Sequence, residues 1–145
     1  MSSMSDRILT TLRRETPFLC ALATITLDGR PRARTMRGTI DDDLVVRCPT
    51  FAGTDKVAQI RAEPEVHVTC GDVDPDRAGS YFQIEGRAEI STAEDDRRAA
   101  WNDRLAKWFT GPDDPRYAVV KIVPYRITAL PIGGGPAAEV WEPPG

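Results

Sequence analysis

The apolar residues nearest the start of the chain follow a helical spacing. Met4, Ile8 and Leu12 recur every four residues, which places them on one face of an amphipathic helix. Pro17 interrupts the pattern, because a proline nitrogen has no hydrogen to donate within a helix. We therefore predict a short helix over residues 5–15.

The segments that follow have the composition of β-strands. Residues 18–27 are apolar and β-branched, the Asp-Gly pair at 28–29 is typical of a two-residue turn, and residues 32–40 are long enough to return beside the first strand. Three aspartates at 41–43 then mark a second turn before the apolar residues 44–48. This order predicts an antiparallel meander of three strands.

The rest of the chain is predicted to hold more strands than helices. In order, its elements are a short helix opened by Thr54 and closed by Pro64, strands at 65–71 and 80–91 around a polar loop at 72–79, a helix at 93–109, and strands at 117–123 and 125–132 before a glycine-rich tail at 133–145. The helix at 93–109 is predicted from the helical spacing of Trp101, Leu105 and Trp108, which places them on one face. Six or seven short strands with few helices predict a mainly β fold, and closure into a small antiparallel barrel would remove its exposed edges.

Length and composition fit a single folded domain over residues 1–145. The chain is 41% hydrophobic and 28% charged, which supplies enough apolar material for one core. Its longest apolar run, Phe18 to Leu27, is too short to cross a bilayer, and the first residues lack the basic-then-apolar order of a secretion signal. We therefore expect a soluble, cytoplasmic protein with no membrane partner.

The cysteine and histidine residues do not indicate a metal site or a nucleophilic triad. Cys20, Cys48 and Cys70 are odd in number, lack CxxC spacing and fall in predicted strands, so we expect reduced thiols that pack as small hydrophobic residues. The single histidine, His67, stands between two valines with no companion at metal-binding spacing. We expect no bound metal.

The densest charge in the sequence is a run of four arginines in a chain of net charge −3: Arg30, Arg32, Arg34 and Arg37. On a strand, the even-numbered arginines face one side and Arg37 faces the other. One interpretation is a solvated edge strand whose charge prevents aggregation, and another is a strand that binds a phosphate or carboxylate. A nucleic-acid partner is not expected, because the run has no interleaved aromatic residues and the whole chain is acidic.

A second candidate anion site lies where the strand predicted at 44–48 leads into the next helix. The segment between them carries Thr50, Thr54 and Lys56, and helix N-termini attract anions through free N–H groups and the helix dipole. The alternative is that Thr54 only caps the helix and Lys56 is solvated. Because the meander brings the arginine strand beside strand 44–48, we predict that one phosphate can be held by Arg34 together with these three residues.

Four motifs in this order carry a resemblance to a known family. They are "FLCALATITLDGRPRARTM", "TDKVAQIRAEPEVHVT", "YFQIEGRAEI" and "WNDRLAKWFTGPDDP". Together they resemble the pyridoxamine 5′-phosphate oxidase-like family, and within it the general stress protein branch, over residues 5–130. The resemblance implies a six- to seven-stranded antiparallel split β-barrel with short flanking helices. It also implies a homodimer that binds FMN in clefts at the subunit interface.

The residues that the resemblance places around the cofactor fall into two groups. Those at the FMN phosphate are Arg34 on its strand and Thr50, Thr54 and Lys56 in the segment that completes the phosphate site. Those along the flavin ring are Thr35, Met36 and Arg37, and Tyr81 lies on a strand that can line the same cleft.

The function favoured by these residues is that of a flavin-dependent oxidoreductase acting on an unknown small molecule. The cofactor supplies the electron chemistry in such a protein, so the chain needs no nucleophile of its own. Two alternatives stay open: a stress protein that stores or senses FMN without turnover, and a reductase that uses a deazaflavin cofactor in the same basic groove. Thr39 stands where the vitamin B6 oxidases carry a lysine, so oxidation of a B6 phosphate is not implied.

Overall fold

A computed structural model describes residues 3–145 of the chain. Along this part the elements are α1 (Met4–Leu12), β1 (Phe18–Ile25), β2 (Pro31–Ile40), β3 (Val46–Phe51), α2 (Asp55–Ala62), β4 (Glu65–Gly71), β5 (Ser80–Ser91), α3 (Glu94–Ala100), a 3₁₀-helix (Asp103–Lys107), β6 (Tyr117–Pro131) and β7 (Glu139–Trp141). The prediction of a mainly β chain is confirmed. Of the helices formed by residues 3–145, none is both long enough and apolar enough to span a membrane.

The strands join one antiparallel sheet that closes on itself. Neighbouring strands run in the order β3-β2-β1-β4-β5-β6-β7, and β3 also pairs with β6. That additional pairing extends from Val46 opposite Ile122 to Phe51 opposite Tyr117. It closes β1 to β6 into a six-stranded barrel and leaves β7 as an extra strand beside β6. The predicted meander and the predicted antiparallel barrel with flanking helices are both confirmed.

Alternate residues of each strand fill the barrel interior. In β1 the inward-facing residues are Phe18, Cys20, Leu22 and Thr24, all of them buried. Gly29 forms the turn into β2 at a φ of +85°, a backbone angle that glycine adopts without the strain of a side chain. The three cysteines are buried and free of disulfides, as their position in apolar strands predicted.

Helix α2 packs against the barrel through one face. Its buried residues are Val57, Gln59 and Ile60, and the helix contacts β1 and β5. Gln59 is the polar member of this face, and it meets the side chain of Thr24 on β1. This hydrogen bond joins the second turn of α2 to β1.

The helix predicted over residues 93–109 is wrong in its extent. This segment forms α3, which ends at Ala100, and then a separate 3₁₀-helix. Between them Trp101 has extended backbone angles (φ −70°, ψ 139°), and its ring lies edge-on against Tyr117 with 5.6 Å between ring centroids. Asn102 then accepts a hydrogen bond from the Arg104 N–H and begins the next turn. Packing of the tryptophan ring on the barrel therefore decides where α3 ends.

Three predicted strand boundaries also need correction. The strands predicted at 117–123 and 125–132 are the single strand β6, in which Tyr125 is a bulge residue opposite Glu85 and Gly86. The strand predicted at 44–48 begins at Val46 and runs to Phe51, so Thr50 belongs to a strand and not to a loop. The tail at 133–145 contains β7, which pairs with β6.

A charged network ties β3 to α3 on the outside of the barrel. Arg47 Nε donates to Asp96 Oδ1 at 2.7 Å and Arg47 Nη1 donates to Asp41 Oδ2 at 2.7 Å. Ser91 Oγ donates to the other oxygen of Asp96 at 2.5 Å. The side chains of Arg47 and Asp96 are only 15% and 8% exposed. Burial opposes ionisation of Asp96, but the hydrogen bonds from Ser91 and Arg47 outweigh it and lower the pKa of this carboxyl.

Candidate functional site

Arg34 lies at the mouth of the barrel on the inward-facing side of β2. Burial along this side of the strand increases from Arg34 through Met36 to Gly38 and Ile40. Leu22, the residue directly opposite Arg34 on β1, is fully buried. The strand alternation predicted from the sequence therefore holds for Arg34, and it leaves the guanidinium partly exposed above the core.

Neutral groups hold the guanidinium of Arg34. Its Nη1 donates to Thr24 Oγ1 at 2.7 Å and to the Leu22 carbonyl oxygen at 3.3 Å, and its Nη2 donates to Gln59 Oε1 at 3.2 Å. The Thr24 hydroxyl donates in turn to Gln59 Oε1 at 2.6 Å. Thr24 and Gln59 are 1% and 5% exposed, so this support is buried and well fixed.

Lys56 and the two predicted threonines come together at the start of α2. Lys56 Nζ donates to Thr50 Oγ1 at 3.0 Å and to Thr54 Oγ1 at 3.3 Å. Thr54 is the N-cap residue, but its hydroxyl donates to the Phe51 carbonyl oxygen at 3.1 Å and makes no side-chain cap bond to the helix. The N–H groups of the first turn are therefore not taken up by this side chain.

Arg34 and Lys56 are two neighbouring cations that form no salt bridge with a carboxylate within residues 3–145. Burial, and after it the charge of Arg34, lower the pKa of Lys56, while Asp55 and Cys48 oppose this shift only in part. Burial also lowers the pKa of Arg34, with a further contribution from Arg32. A bound anion in contact with both cations would reverse these shifts.

The residues predicted along the flavin ring divide between the two faces of the sheet. Thr35 and Tyr81 lie on the outer face and line a cavity of about 600 Å³ that also includes Leu19, Thr69 and Arg77. This cavity combines apolar surface with hydroxyl groups, two guanidinium groups and two carboxylates, and such a mixture of apolar and polar groups is typical of a small-molecule site.

Met36 and Arg37 do not add their side chains to this cavity. Met36 points the other way and packs against the barrel core. Arg37 is on the outer face, where its Nη1 donates to Glu15 Oε1 at 2.6 Å and to the Pro17 carbonyl oxygen at 3.3 Å. Its charge is thus paired with a carboxylate, unlike the charge of Arg34.

Two site residues, Thr24 and Gln59, were missed from the sequence. A signal was available, because both are polar residues at positions where the surrounding pattern predicts burial: Thr24 within the apolar run of β1, and Gln59 between Val57 and Ile60 on α2. Buried polar residues need hydrogen-bond partners, and here they share one in Arg34.

Comparisons with known proteins agree with this fold. A sequence profile described as pyridoxamine 5′-phosphate oxidase matches residues 5–130. General stress protein 26 of Bacillus subtilis (strain 168) is 30% identical over 113 residues, which are 78% of this chain and 79% of that protein. The crystal structure of General Stress Protein 26 from Bacillus anthracis str. Sterne superposes with a TM-score of 0.79 at 26% identity, covering 96% of this chain and 98% of the other.

Two further solved structures share the fold. One is a pyridoxamine 5′-phosphate oxidase-related, FMN binding protein from Nostoc punctiforme PCC 73102, with a TM-score of 0.67 and 16% identity over 100% of this chain and 98% of the other. The second is an F420 reductase, with a TM-score of 0.58 and 26% identity over 77% of this chain and 89% of the other.

Proposed function

The chain belongs to the pyridoxamine 5′-phosphate oxidase family, and from this premise we propose that it binds FMN and acts as a flavin-dependent oxidoreductase on a small molecule. The observation that carries the proposal is the pair of cations, Arg34 and Lys56, which form no salt bridge with a carboxylate within residues 3–145 and are both partly desolvated. Keeping two such charges together is unfavourable unless an anion joins them.

The groups around these cations fit a phosphate monoester. Such a ligand carries up to two negative charges and three acceptor oxygens. The site offers the ammonium of Lys56, the guanidinium of Arg34, the hydroxyls of Thr50 and Thr54, and N–H groups at the start of α2 that the Thr54 side chain does not cap. We therefore propose that Arg34, Thr50, Thr54 and Lys56 hold the FMN phosphate.

The chemistry of the flavin, when it is bound, is the transfer of electrons to or from a substrate, and the chain contributes position and electrostatics. We propose that Thr35 and Tyr81 lie along the ring, because both line the outer-face cavity of about 600 Å³. We also propose that Arg37 lies near the ring, because it follows Thr35 by two residues on the same face of β2. Glu15 holds its guanidinium there. For Met36 the proposal rests on the main chain, because its side chain packs against the core.

A second copy of the chain is proposed to cover the outer face of β1 and β2. Leu19 is 50% exposed on this face, beside Arg37 on the next strand, and it lines the cavity together with Thr35 and Tyr81. A homodimer formed here would bury Leu19 and place the cofactor at the subunit interface. Sedimentation velocity tests this, since a protein that stays monomeric at every concentration contradicts it.

The buried, free cysteines support our proposal of a cytoplasmic location, where thiols stay reduced.

Titration with FMN and with riboflavin tests the binding part of the proposal. The two flavins differ only in the phosphate, so we expect FMN to bind at least about tenfold more tightly. Equal affinities would contradict a phosphate site. Loss of the flavin absorbance after anaerobic addition of NADH or NADPH, and its return with an acceptor, would separate an oxidoreductase from the alternative of a storage or sensor protein.

The similarity to an F420 reductase supports one alternative cofactor. A deazaflavin with an anionic tail would use the same cations, Arg34 and Lys56. A competition experiment distinguishes the two cofactors. If the deazaflavin binds more tightly than FMN, the deazaflavin is the cofactor, and if FMN binds more tightly, FMN is the cofactor.

FMN affinity should decrease as the pH rises from about pH 7 to about pH 10. The second pKa of the phosphate is about 6, so its charge changes little over this range. In the free protein the pKa of Lys56 lies below its usual value of 10.5, because burial and the charge of Arg34 disfavour the ammonium. Because the bound phosphate favours the protonated lysine, affinity is highest below the pKa of Lys56 and weakens above it.

A Lys56→Arg variant is the control for this pH dependence, because arginine stays protonated throughout the range. Its FMN affinity should be nearly constant, and riboflavin titrations of both proteins correct for ionisation of the flavin ring itself. The same decrease in the Lys56→Arg variant as in the wild type would show that another group titrates.

A further inference from the structure

We propose that Thr24 and Gln59 are positioning residues that hold Arg34 in place without neutralising it, so that its charge is available to an anionic ligand. This inference rests on the proposed phosphate site. Thr24 and Gln59 are on different elements, β1 and α2, yet both bond to Arg34 and to each other. Both side chains are buried, at 1% and 5% exposed.

The hydrogen bonds leave little freedom in the orientation of the three side chains. Gln59 Oε1 accepts from both the Thr24 hydroxyl and Arg34 Nη2, at 2.6 Å and 3.2 Å. The Thr24 oxygen accepts from Arg34 Nη1 at 2.7 Å. Since the hydroxyl hydrogen is used toward Gln59, Thr24 can present only its lone pairs to Arg34. Arg34, Thr24 and Gln59 are therefore each hydrogen-bonded to the other two. The guanidinium retains further N–H donors for a ligand.

The neutrality of this support distinguishes Arg34 from the other well-held arginines of the chain. Arg47 bonds to Asp96 and Asp41, and Arg37 bonds to Glu15, so each of these guanidinium groups is paired with a carboxylate. An amide and a hydroxyl fix geometry as well as a carboxylate does, but they do not compete with a phosphate for the positive charge. The charge of residue 59 thus determines whether the guanidinium of Arg34 is paired within the fold or available to a ligand.

Gln59→Glu is the sharpest test, because it changes one buried amide to a carboxylate of nearly the same shape. We expect this variant to fold and to bind FMN about 10- to 100-fold more weakly than the wild type, while its riboflavin affinity stays within about twofold. Ala58→Glu is the matched control, since it adds the same charge at an exposed position of the same helix. It should leave FMN binding within about twofold.

Thr24 provides a second, independent variant. Thr24→Val keeps the shape and removes the hydroxyl, so FMN affinity should decrease by about 3- to 10-fold with riboflavin unaffected. Thr24→Ser restores the hydroxyl and should restore the affinity. The proposal is wrong if Gln59→Glu binds FMN as the wild type does, or if the variants weaken FMN and riboflavin equally, because a purely structural role would act on both.

A measurement without any flavin separates failure of this inference from failure of the proposed function. If the wild-type protein does not prefer FMN to riboflavin, the proposed function fails. Side-chain NMR of ¹⁵N-labelled arginine in the free protein then decides the inference. We expect restricted Arg34 guanidinium signals in the wild type and in Thr24→Ser, and averaged signals in a Thr24→Val, Gln59→Leu double variant. Restricted signals in the double variant would overturn the positioning role.

Discussion

Replacing both Arg34 and Lys56 with alanine should weaken FMN binding by about 10²- to 10⁴-fold. Each cation makes charge-assisted hydrogen bonds worth about 1.5–3 kcal/mol, so losing both costs about 3–6 kcal/mol of binding free energy. Both residues are partly desolvated and lack a salt bridge to any carboxylate within residues 3–145, so their charge is not already used by the fold. Fluorescence titration with FMN and riboflavin measures the change, and riboflavin binding should be nearly unaffected.

A second double variant controls for the loss of two positive charges. Arg61→Ala with Arg98→Ala removes the same charge from exposed positions, where Arg98 makes only a surface pair with Glu94. This control should bind FMN within about threefold of the wild type, because exposed charges are screened by salt. If the two double variants lose FMN affinity to the same extent, general attraction of anions and not a built phosphate site explains the binding.

Replacing Arg47 with leucine should lower the free energy of unfolding by about 3–5 kcal/mol. Arg47 is the partner of both Asp96 and Asp41, and its removal leaves the carboxylate of Asp96, which is only 8% exposed, without its nearest positive charge. Lys121 Nζ, at 3.7 Å from Asp96 Oδ1, is too distant to replace a hydrogen-bonded guanidinium. Urea unfolding followed by circular dichroism measures the loss.

Two variants and a pH series check this explanation. Arg98→Leu removes an exposed arginine from the same region and should change stability by less than about 0.5 kcal/mol. Adding Asp96→Asn to Arg47→Leu should recover part of the loss, because no buried charge is then left unpaired. In the wild type the pKa of Asp96 is lowered by folding, so its stabilisation is complete above its ordinary value of 3.8 and is lost as the pH falls through the folded value. An Arg47→Leu protein as stable as the wild type would contradict the role of this network.

Much of the fold could be predicted because local signals and the final packing agree. The hairpin around Gly29 has both a turn sequence and alternating strands, and it forms as predicted. Trp101 is a position where the local signal and the packing disagree. Its spacing relative to Leu105 is helical, but α3 ends before it and its ring packs against Tyr117. A contact between residues distant in sequence has no local signal.

The candidate site could likewise be predicted only where residues carry a local signal. Arg34 stands out in the sequence within a run of four arginines, and Lys56 stands out at the start of a predicted helix. The structure brings Lys56 together with Thr50 and Thr54. The support given by Gln59 was not predicted, because it depends on α2 packing against β1 so that a buried amide reaches Thr24 and Arg34 together. Residue types alone predicted an anion site, whereas the packing of α2 against β1 determines which neutral groups hold Arg34.

The first measurement to make is a visible absorption spectrum of the purified protein before and after adding FMN, with free flavin removed by gel filtration. We expect a flavin spectrum that co-elutes with the protein and disappears in the Arg34→Ala, Lys56→Ala double variant. A wild-type protein that stays colourless after FMN is added would contradict a phosphate site built from Arg34 and Lys56 for this cofactor.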